Sequence, residues 1–152
     1  MTKFLLAVHV LAAIVAIGPV TVAASMFPPA ARRAIEAPDD VRAAETVQLL
    51  HRICRVYAVV GVVVPVFGFA TAGNMHVLGS AWLITSIALT ALAALVLAAL
   101  VLPRQSALVE AGAGAGTRRM TVRLAMFTGV FNLLWAVVTV LMIVRPGSTT
   151  GA

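Results

Sequence analysis

The sequence predicts an all-α fold, a four-helix transmembrane bundle in antiparallel up-down order that forms one integral membrane domain over residues 1–152. Three observations support this prediction. Four apolar runs are each long enough to cross a bilayer, which takes about 20 helical residues. Only 11% of the residues are charged and 62% are hydrophobic, whereas about a quarter of a soluble domain is charged. The charges lie near the ends of the runs, so the excess apolar surface is expected to face lipid.

The predicted spans leave the charged residues and most prolines in the segments between them. The spans cover about residues 4–27, 56–72, 81–102 and 124–144, and two basic loops cover 28–55 and 103–123. Proline lacks a backbone N–H and clashes with the preceding helical turn. The pair that begins at Pro28 is therefore expected to end the first helix, Pro103 the third and Pro146 the fourth. Pro65 is expected to kink the second span.

The distribution of basic residues predicts how the bundle is oriented. Nine arginines lie in the two basic loops: Arg32, Arg33, Arg42, Arg52, Arg55, Arg104, Arg118, Arg119 and Arg123. The other ends of the spans carry Lys3 and Arg145. Because basic residues flank spans on the cytoplasmic side, we expect both basic loops in the cytoplasm and both termini outside. The abundance of arginine and alanine suits a GC-rich bacterial genome, so we expect a multi-pass protein of a bacterial plasma (inner) membrane.

Composition also limits the partners and the chemistry. The net charge of +6 comes from residues that flank spans, and no basic-aromatic stripe exists, so nucleic acid is not an expected partner. The expected partners are the lipid bilayer and either a second copy of the chain or other membrane proteins. Cys54 is the single cysteine, which excludes an intrachain disulfide. The sequence contains no CxxC, HExxH, GxGxxG or P-loop spacing.

His9 is the main candidate functional residue, because an ionisable side chain inside a span is a functional-site hypothesis by default. It shares a helix face with small alanines, so it is expected to face the bundle and not lipid. Three further residues are expected at a similar depth, about 8 Å from the outer boundary: Gly68, Ser86 and Thr139. With His9 they define a predicted ligand or cofactor site. Thr139 belongs there because it continues a stripe of small and polar residues along the fourth run.

Three interpretations of His9 stay open. It is a helix-packing residue that donates a hydrogen bond to a neighbouring carbonyl, Ser86 or Thr139, or it is an axial ligand of haem, or it takes part in binding a proton or substrate. A metal site is also considered, formed by His9 and His76 and joined by Met75 for copper. His51 is expected to be an interfacial anchor near lipid phosphates.

The first run, LLAVHVLAAIVAIGP, and the end of the fourth, VLMIVRPG, resemble a family of small bacterial predicted integral membrane proteins with four spans. That family is in turn similar to HemJ-type protoporphyrinogen oxidases and CopD-type copper-resistance proteins. The resemblance implies a four-span fold and, through the oxidase group, a characteristic histidine in the first helix that matches His9. The oxidase group also has a lysine in its third helix. In that group the lysine lies next to a helix start that contains tryptophan. The third run here has such a start at Trp82, but no lysine follows it.

The small-residue helix faces and the few reactive side chains favour a non-enzymatic accessory subunit, scaffold or oligomer-forming membrane protein. The first alternative is a haem-binding redox protein with His9 as axial ligand. The second is a protein that binds or transports a small ligand or copper at a site near the outer face. These alternatives differ in colour, in bound metal and in their response to the substitution His9→Ala.

Overall fold

The computed structural model describes residues 2–74, 76, 78–112 and 118–147, and the secondary structure of this part of the chain is helical throughout. The helices are α1 (Thr2–Glu36), α2 (Val41–Val60), α3 (Val63–Asn74), α4 (Ala81–Leu95), a π-helical segment (Val96–Val101), α5 (Leu102–Ala111) and α6 (Arg118–Val144). Asp40 begins α2 as its N-cap, with its carboxylate accepting the backbone N–H of Arg42 and of Ala43.

Four continuous or nearly continuous helical stretches are long and apolar enough to cross a membrane: Lys3–Glu36, Val41–Asn74, Ala81–Ala111 and Arg118–Val144. Between 11% and 28% of the residues in their most apolar windows are buried inside the protein. Most of the apolar surface therefore faces outward, as in a protein whose solvent is lipid. Four helices of this length and hydrophobicity agree with a multi-pass membrane protein, and they confirm the prediction of an all-helical fold with four apolar runs of spanning length.

The first helix organises the packing. α1 contacts α2 most extensively and also packs against α3 and α6, while α4 packs against α6. The buried residues of α1 recur every three or four positions, which places them on one face of the helix: Ala16, Val20, Ala23, Ala24, Phe27, Ala31 and Ala34. Alanines on this face let neighbouring backbones approach closely. The main core extends over the arginine-rich half of the bundle, where Leu50, Cys54, Leu124 and Phe131 join it.

The structure corrects two of the helix ends expected from proline. α1 continues through Pro28 and Pro29 to Glu36, and the third span continues through Pro103 to Ala111. Membrane helices tolerate proline where neighbouring helices, side chains or a local change of helix type satisfy the freed backbone groups. Pro28 is fully buried against the core.

A change of helix type is seen before Pro103. The π-helical segment there brings the N–H of Leu102 to the carbonyl of Leu97, five residues earlier. The guanidinium Nη1 of Arg104 also donates to the Leu100 carbonyl, at 2.8 Å. The helix therefore passes the proline by shifting its hydrogen-bond pattern. The fourth helix, by contrast, ends at Val144 as predicted from Pro146.

The second span is interrupted where a kink was expected. α2 and α3 are separated at Gly61 and Val62. Because Pro65 has no N–H, the Gly61 carbonyl lacks its usual donor, and the N–H of Val64 bonds to it at 3.2 Å instead. α3, beyond this tighter turn, packs beside the first half of α1, where Val64 and Gly68 contact His9.

Candidate functional site

His9 ties α1 to α3. Its Nδ1 lies 3.0 Å from the Val64 carbonyl oxygen, and the imidazole is half-buried. Gly68, one turn beyond Val64, lies directly under the ring, because a Cβ built on Gly68 would come within 3.0 Å of His9 Cε1. A larger residue at position 68 would therefore compete with the imidazole for the same space.

The Val64 contact fixes which nitrogen of His9 carries the proton. A carbonyl oxygen can only accept, so Nδ1 is the donor in this hydrogen bond and the neutral ring keeps its lone pair on Nε2. An imidazole held by an Nδ1–H···O=C bond with Nε2 unprotonated is also the form in which histidine commonly ligates a metal. The geometry of His9 is thus compatible with both a packing role and a ligand role.

The structure brings together two of the four residues of the predicted cofactor site, His9 and Gly68. Ser86 is fully buried and donates to the Trp82 carbonyl at 2.8 Å, within its own helix. Thr139 is exposed and donates to the Trp135 carbonyl at 2.9 Å, also within its own helix. The buried face of α6 holds Leu124, Thr128, Phe131 and Val138, so Thr139 points away from that face.

The two histidines of the predicted metal site differ in burial, since His9 is half-buried and His76 is exposed. His76 lies in an exposed turn with φ of 56°, and Met75 falls outside the described residues. Among the residues that the structure describes, no group of three or more His, Cys, Asp or Glu side chains is placed to hold a metal ion. The His9–His76 site stays a prediction.

A second histidine has partners that the sequence did not reveal. His51 is 8% exposed, and its Nδ1 lies 3.1 Å from Oε1 of the fully buried Gln105. Its Nε2 lies 3.3 Å from the hydroxyl of Ser106. Gln105 Nε2 also donates to Cys54 Sγ at 3.6 Å. These contacts connect α2 to α5 through a chain of polar side chains.

His51 was expected at the lipid interface, and the structure places it inside the bundle. Its ring lies edge-on to Phe27 with 6.5 Å between ring centroids, so three helices meet around it. The one signal available in the sequence is Gln105 itself, an uncharged amide close to a proline-marked span end. It did not identify its partner, because the pairing depends on how α2 and α5 align.

A pocket of about 230 Å³ lies between α1 and α6, and sequence reasoning missed it as well. Six of its lining residues are Ser25, Pro28, Arg32, Thr128, Gly129 and Asn132. The amide Nδ2 of Asn132 donates to the Ser25 hydroxyl at 2.9 Å, which joins the two helices. Helix periodicity and depth in the sequence give no reason to pair Thr128 and Asn132 with Arg32.

Comparison of the chain with known protein families, with curated proteins and with solved structures finds no match.

Proposed function

We propose that this multi-pass membrane protein is a non-enzymatic accessory or scaffold subunit, or an oligomer-forming module, of a bacterial plasma membrane. The proposed arrangement is an antiparallel bundle with both termini outside and both basic loops in the cytoplasm. The asymmetry of the arginines supports this orientation. The extensive exposed apolar surface supports contact with lipid and with other membrane-embedded chains.

The observation that carries the proposal is how the interior polar side chains are used. His9 bonds to Val64, His51 to Gln105, and Asn132 to Ser25. Each contact joins two different helices, which is the common role of polar residues in membrane bundles. The side chains that looked most reactive in the sequence therefore hold the helices together, and a stable helical frame is what a scaffold subunit needs.

One alternative has a specific observation in its favour. The Nε2 lone pair of His9 is left available by the Nδ1–H bond to Val64, which suits an axial ligand of haem. The resemblance of the first helix to the HemJ-type oxidases points the same way. In this alternative, Val64 orients the imidazole and Gly68 keeps space beside it, and bound haem supplies the redox chemistry.

Absorption spectroscopy with metal analysis tests these proposals on protein purified in detergent from cells supplied with haem and copper. The wild type is compared with His9→Ala and with His76→Ala, a matched control at an exposed histidine. For a scaffold subunit we expect no Soret band and no stoichiometric metal in any of the three proteins. The His9→Ala variant would then show only lower stability, by about 1–3 kcal/mol for a lost partner of a buried polar group.

Two other outcomes would overturn the scaffold proposal. A stoichiometric Soret band that His9→Ala removes and His76→Ala keeps would establish the haem alternative. Stoichiometric copper that both substitutions remove would establish the outer metal site of His9 and His76.

A further inference from the structure

Three residues that line the pocket between α1 and α6 each have a buried polar atom without a hydrogen-bond partner: Arg32 Nε, Thr128 Oγ1 and Asn132 Oδ1. All three residues line the same pocket. Thr128 is 3% exposed, so its hydroxyl has little access to bulk solvent. An unsatisfied buried polar group costs about 1–3 kcal/mol. Three such atoms around one space indicate that the pocket is completed by a polar occupant.

The three atoms specify what that occupant must offer. Arg32 Nε carries an N–H that needs an acceptor, and a guanidinium favours an anionic oxygen. The hydroxyl of Thr128 can donate to the same anion. Asn132 Oδ1 can only accept. The amide orientation is set because the Ser25 hydroxyl donates to the Thr21 carbonyl and therefore accepts from Asn132 Nδ2. The ligand must therefore carry an anionic group and, close to it, a hydrogen-bond donor.

The position of the pocket indicates which class of anionic ligand it binds. Arg32 lies just beyond the apolar run 4–27, at the end of α1 that also carries Arg33. If the run 4–27 crosses the hydrocarbon core, Arg32 lies near the level of the lipid phosphates. Beside the pocket the outer helix surfaces are apolar and exposed, with Met26 on α1 and Met126 and Leu133 on α6. Acyl chains can lie along these surfaces while a headgroup occupies the pocket.

We propose that this pocket binds a phosphodiester headgroup whose alcohol provides a hydrogen-bond donor, such as the glycerol or ethanolamine headgroup of a membrane lipid. The phosphate oxygens accept from Arg32 and Thr128. The headgroup hydroxyl or ammonium donates to Asn132. A soluble phosphate ester offers the same chemistry, so the test must separate the two sources. This inference does not depend on the scaffold proposal, because it concerns a separate pocket between α1 and α6.

Native mass spectrometry of delipidated protein in detergent measures the binding. The probes are phosphatidylglycerol, phosphatidylethanolamine, diacylglycerol, which lacks the phosphate, and glycerol 3-phosphate, which lacks the acyl chains. We expect the two phospholipids to bind wild type more tightly than diacylglycerol. Arg32→Gln should weaken phospholipid binding about tenfold or more. Arg33→Gln is the matched control, since it removes the same charge from the neighbouring, exposed residue and should leave binding unchanged.

Two further variants guard against a folding defect. A Cβ at Gly129 meets no atom within 4 Å, so Gly129→Leu should fill the pocket without a backbone clash and abolish binding. Thr128→Val should weaken binding, while Thr139→Val, the same change at an exposed position, should not. Selective loss in the pocket variants supports the proposal.

Three outcomes would overturn the proposal, and a fourth would identify a soluble ligand. Equal binding of phospholipid by the Arg32, Arg33 and Gly129 variants would overturn the proposal, as would equal binding of diacylglycerol and phospholipid. The absence of any phosphate-dependent binding would also overturn it and leave water as the occupant. Glycerol 3-phosphate that binds wild type as tightly as the phospholipids, and loses affinity in Arg32→Gln, supports the anion site and identifies its source as a soluble phosphate ester.

Discussion

At the scale of single residues, His9 and Gly68 form a pair in which each limits the other. The imidazole is fixed by its bond to the Val64 carbonyl, and it occupies the space where a side chain at position 68 would begin. The interaction is specific to these two positions, so its contribution can be isolated by a double-mutant cycle.

Gly68→Ala is expected to destabilise the protein by about 1–3 kcal/mol, the usual cost of forcing an extra methyl group into a packed position. The new Cβ would lie 3.0 Å from His9 Cε1, so the ring would have to shift by a few tenths of an ångström. In a His9→Ala background the same substitution should be neutral or stabilising by up to about 1 kcal/mol, because the close contact is gone and only the gain in helix propensity remains. Denaturation followed by tryptophan fluorescence in detergent measures both differences.

Gly73→Ala is the matched control on the same helix. A Cβ at Gly73 meets no atom within 4 Å, so the substitution should be neutral or stabilise α3 by up to about 1 kcal/mol through helix propensity. A Gly68→Ala effect of the same size with and without His9 would refute the pairing.

The sequence predicted His9 as the main polar residue of the first span, and it predicted that His9 and Gly68 belong together. Both follow from helix periodicity and depth, which depend only on positions along each chain segment. Thr139 and Ser86 were assigned to the same site by the same depth rule. Their place beside His9 stays a prediction, because it depends on the rotation of α4 and α6 about their own axes, which neither depth nor composition determines.

At the scale of helices, one buried amide joins α5 to α2 through two hydrogen bonds. Gln105 accepts from His51 and donates to Cys54, and it is fully buried. We expect Gln105→Leu to lower the free energy of unfolding by about 1–3 kcal/mol, because it leaves the Nδ1–H of His51 buried without an acceptor. The same denaturation assay measures this loss.

Gln48→Leu is the control, since Gln48 is exposed on α2 and its replacement should change the stability little. A combined His51→Phe and Gln105→Leu variant should recover part of the loss, because replacing both partners leaves no unsatisfied polar group. A loss in the double variant equal to the sum of the two single losses would show that His51 and Gln105 do not act as a pair.

The existence of the helices could be predicted from length and hydrophobicity, whereas their ends could not be predicted from proline alone. In water a proline inside a helix is costly, and the helix ends predicted at Pro28 and Pro103 follow from that rule. In the membrane, ending the helix costs more free energy than continuing it through proline, since lipid offers no hydrogen bonds to the exposed backbone groups. A shifted hydrogen-bond pattern, as in the π-helical segment before Pro103, is then the cheaper solution.

At the scale of the whole molecule, the positions of the arginines and the exposed surface together make the orientation testable. Two exposed positions represent the two sides proposed for the membrane: Ala37, between α1 and α2, and Leu78, between α3 and α4. Cys54 is the only native cysteine and is buried. A Cys54→Ser background therefore allows each position to be probed by a single introduced cysteine.

We expect Leu78→Cys to react with a membrane-impermeant maleimide in intact spheroplasts, and Ala37→Cys to react only after permeabilisation. The reason is that nine of the eleven basic residues lie in the segments 28–55 and 103–123, the first of which contains position 37. Basic residues are retained in the cytoplasm. Labelling of Ala37→Cys in intact spheroplasts with protection of Leu78→Cys would reverse the proposed orientation. It would also move the pocket of Arg32 and Asn132 to the outer leaflet, so the topology experiment decides which leaflet supplies its lipid.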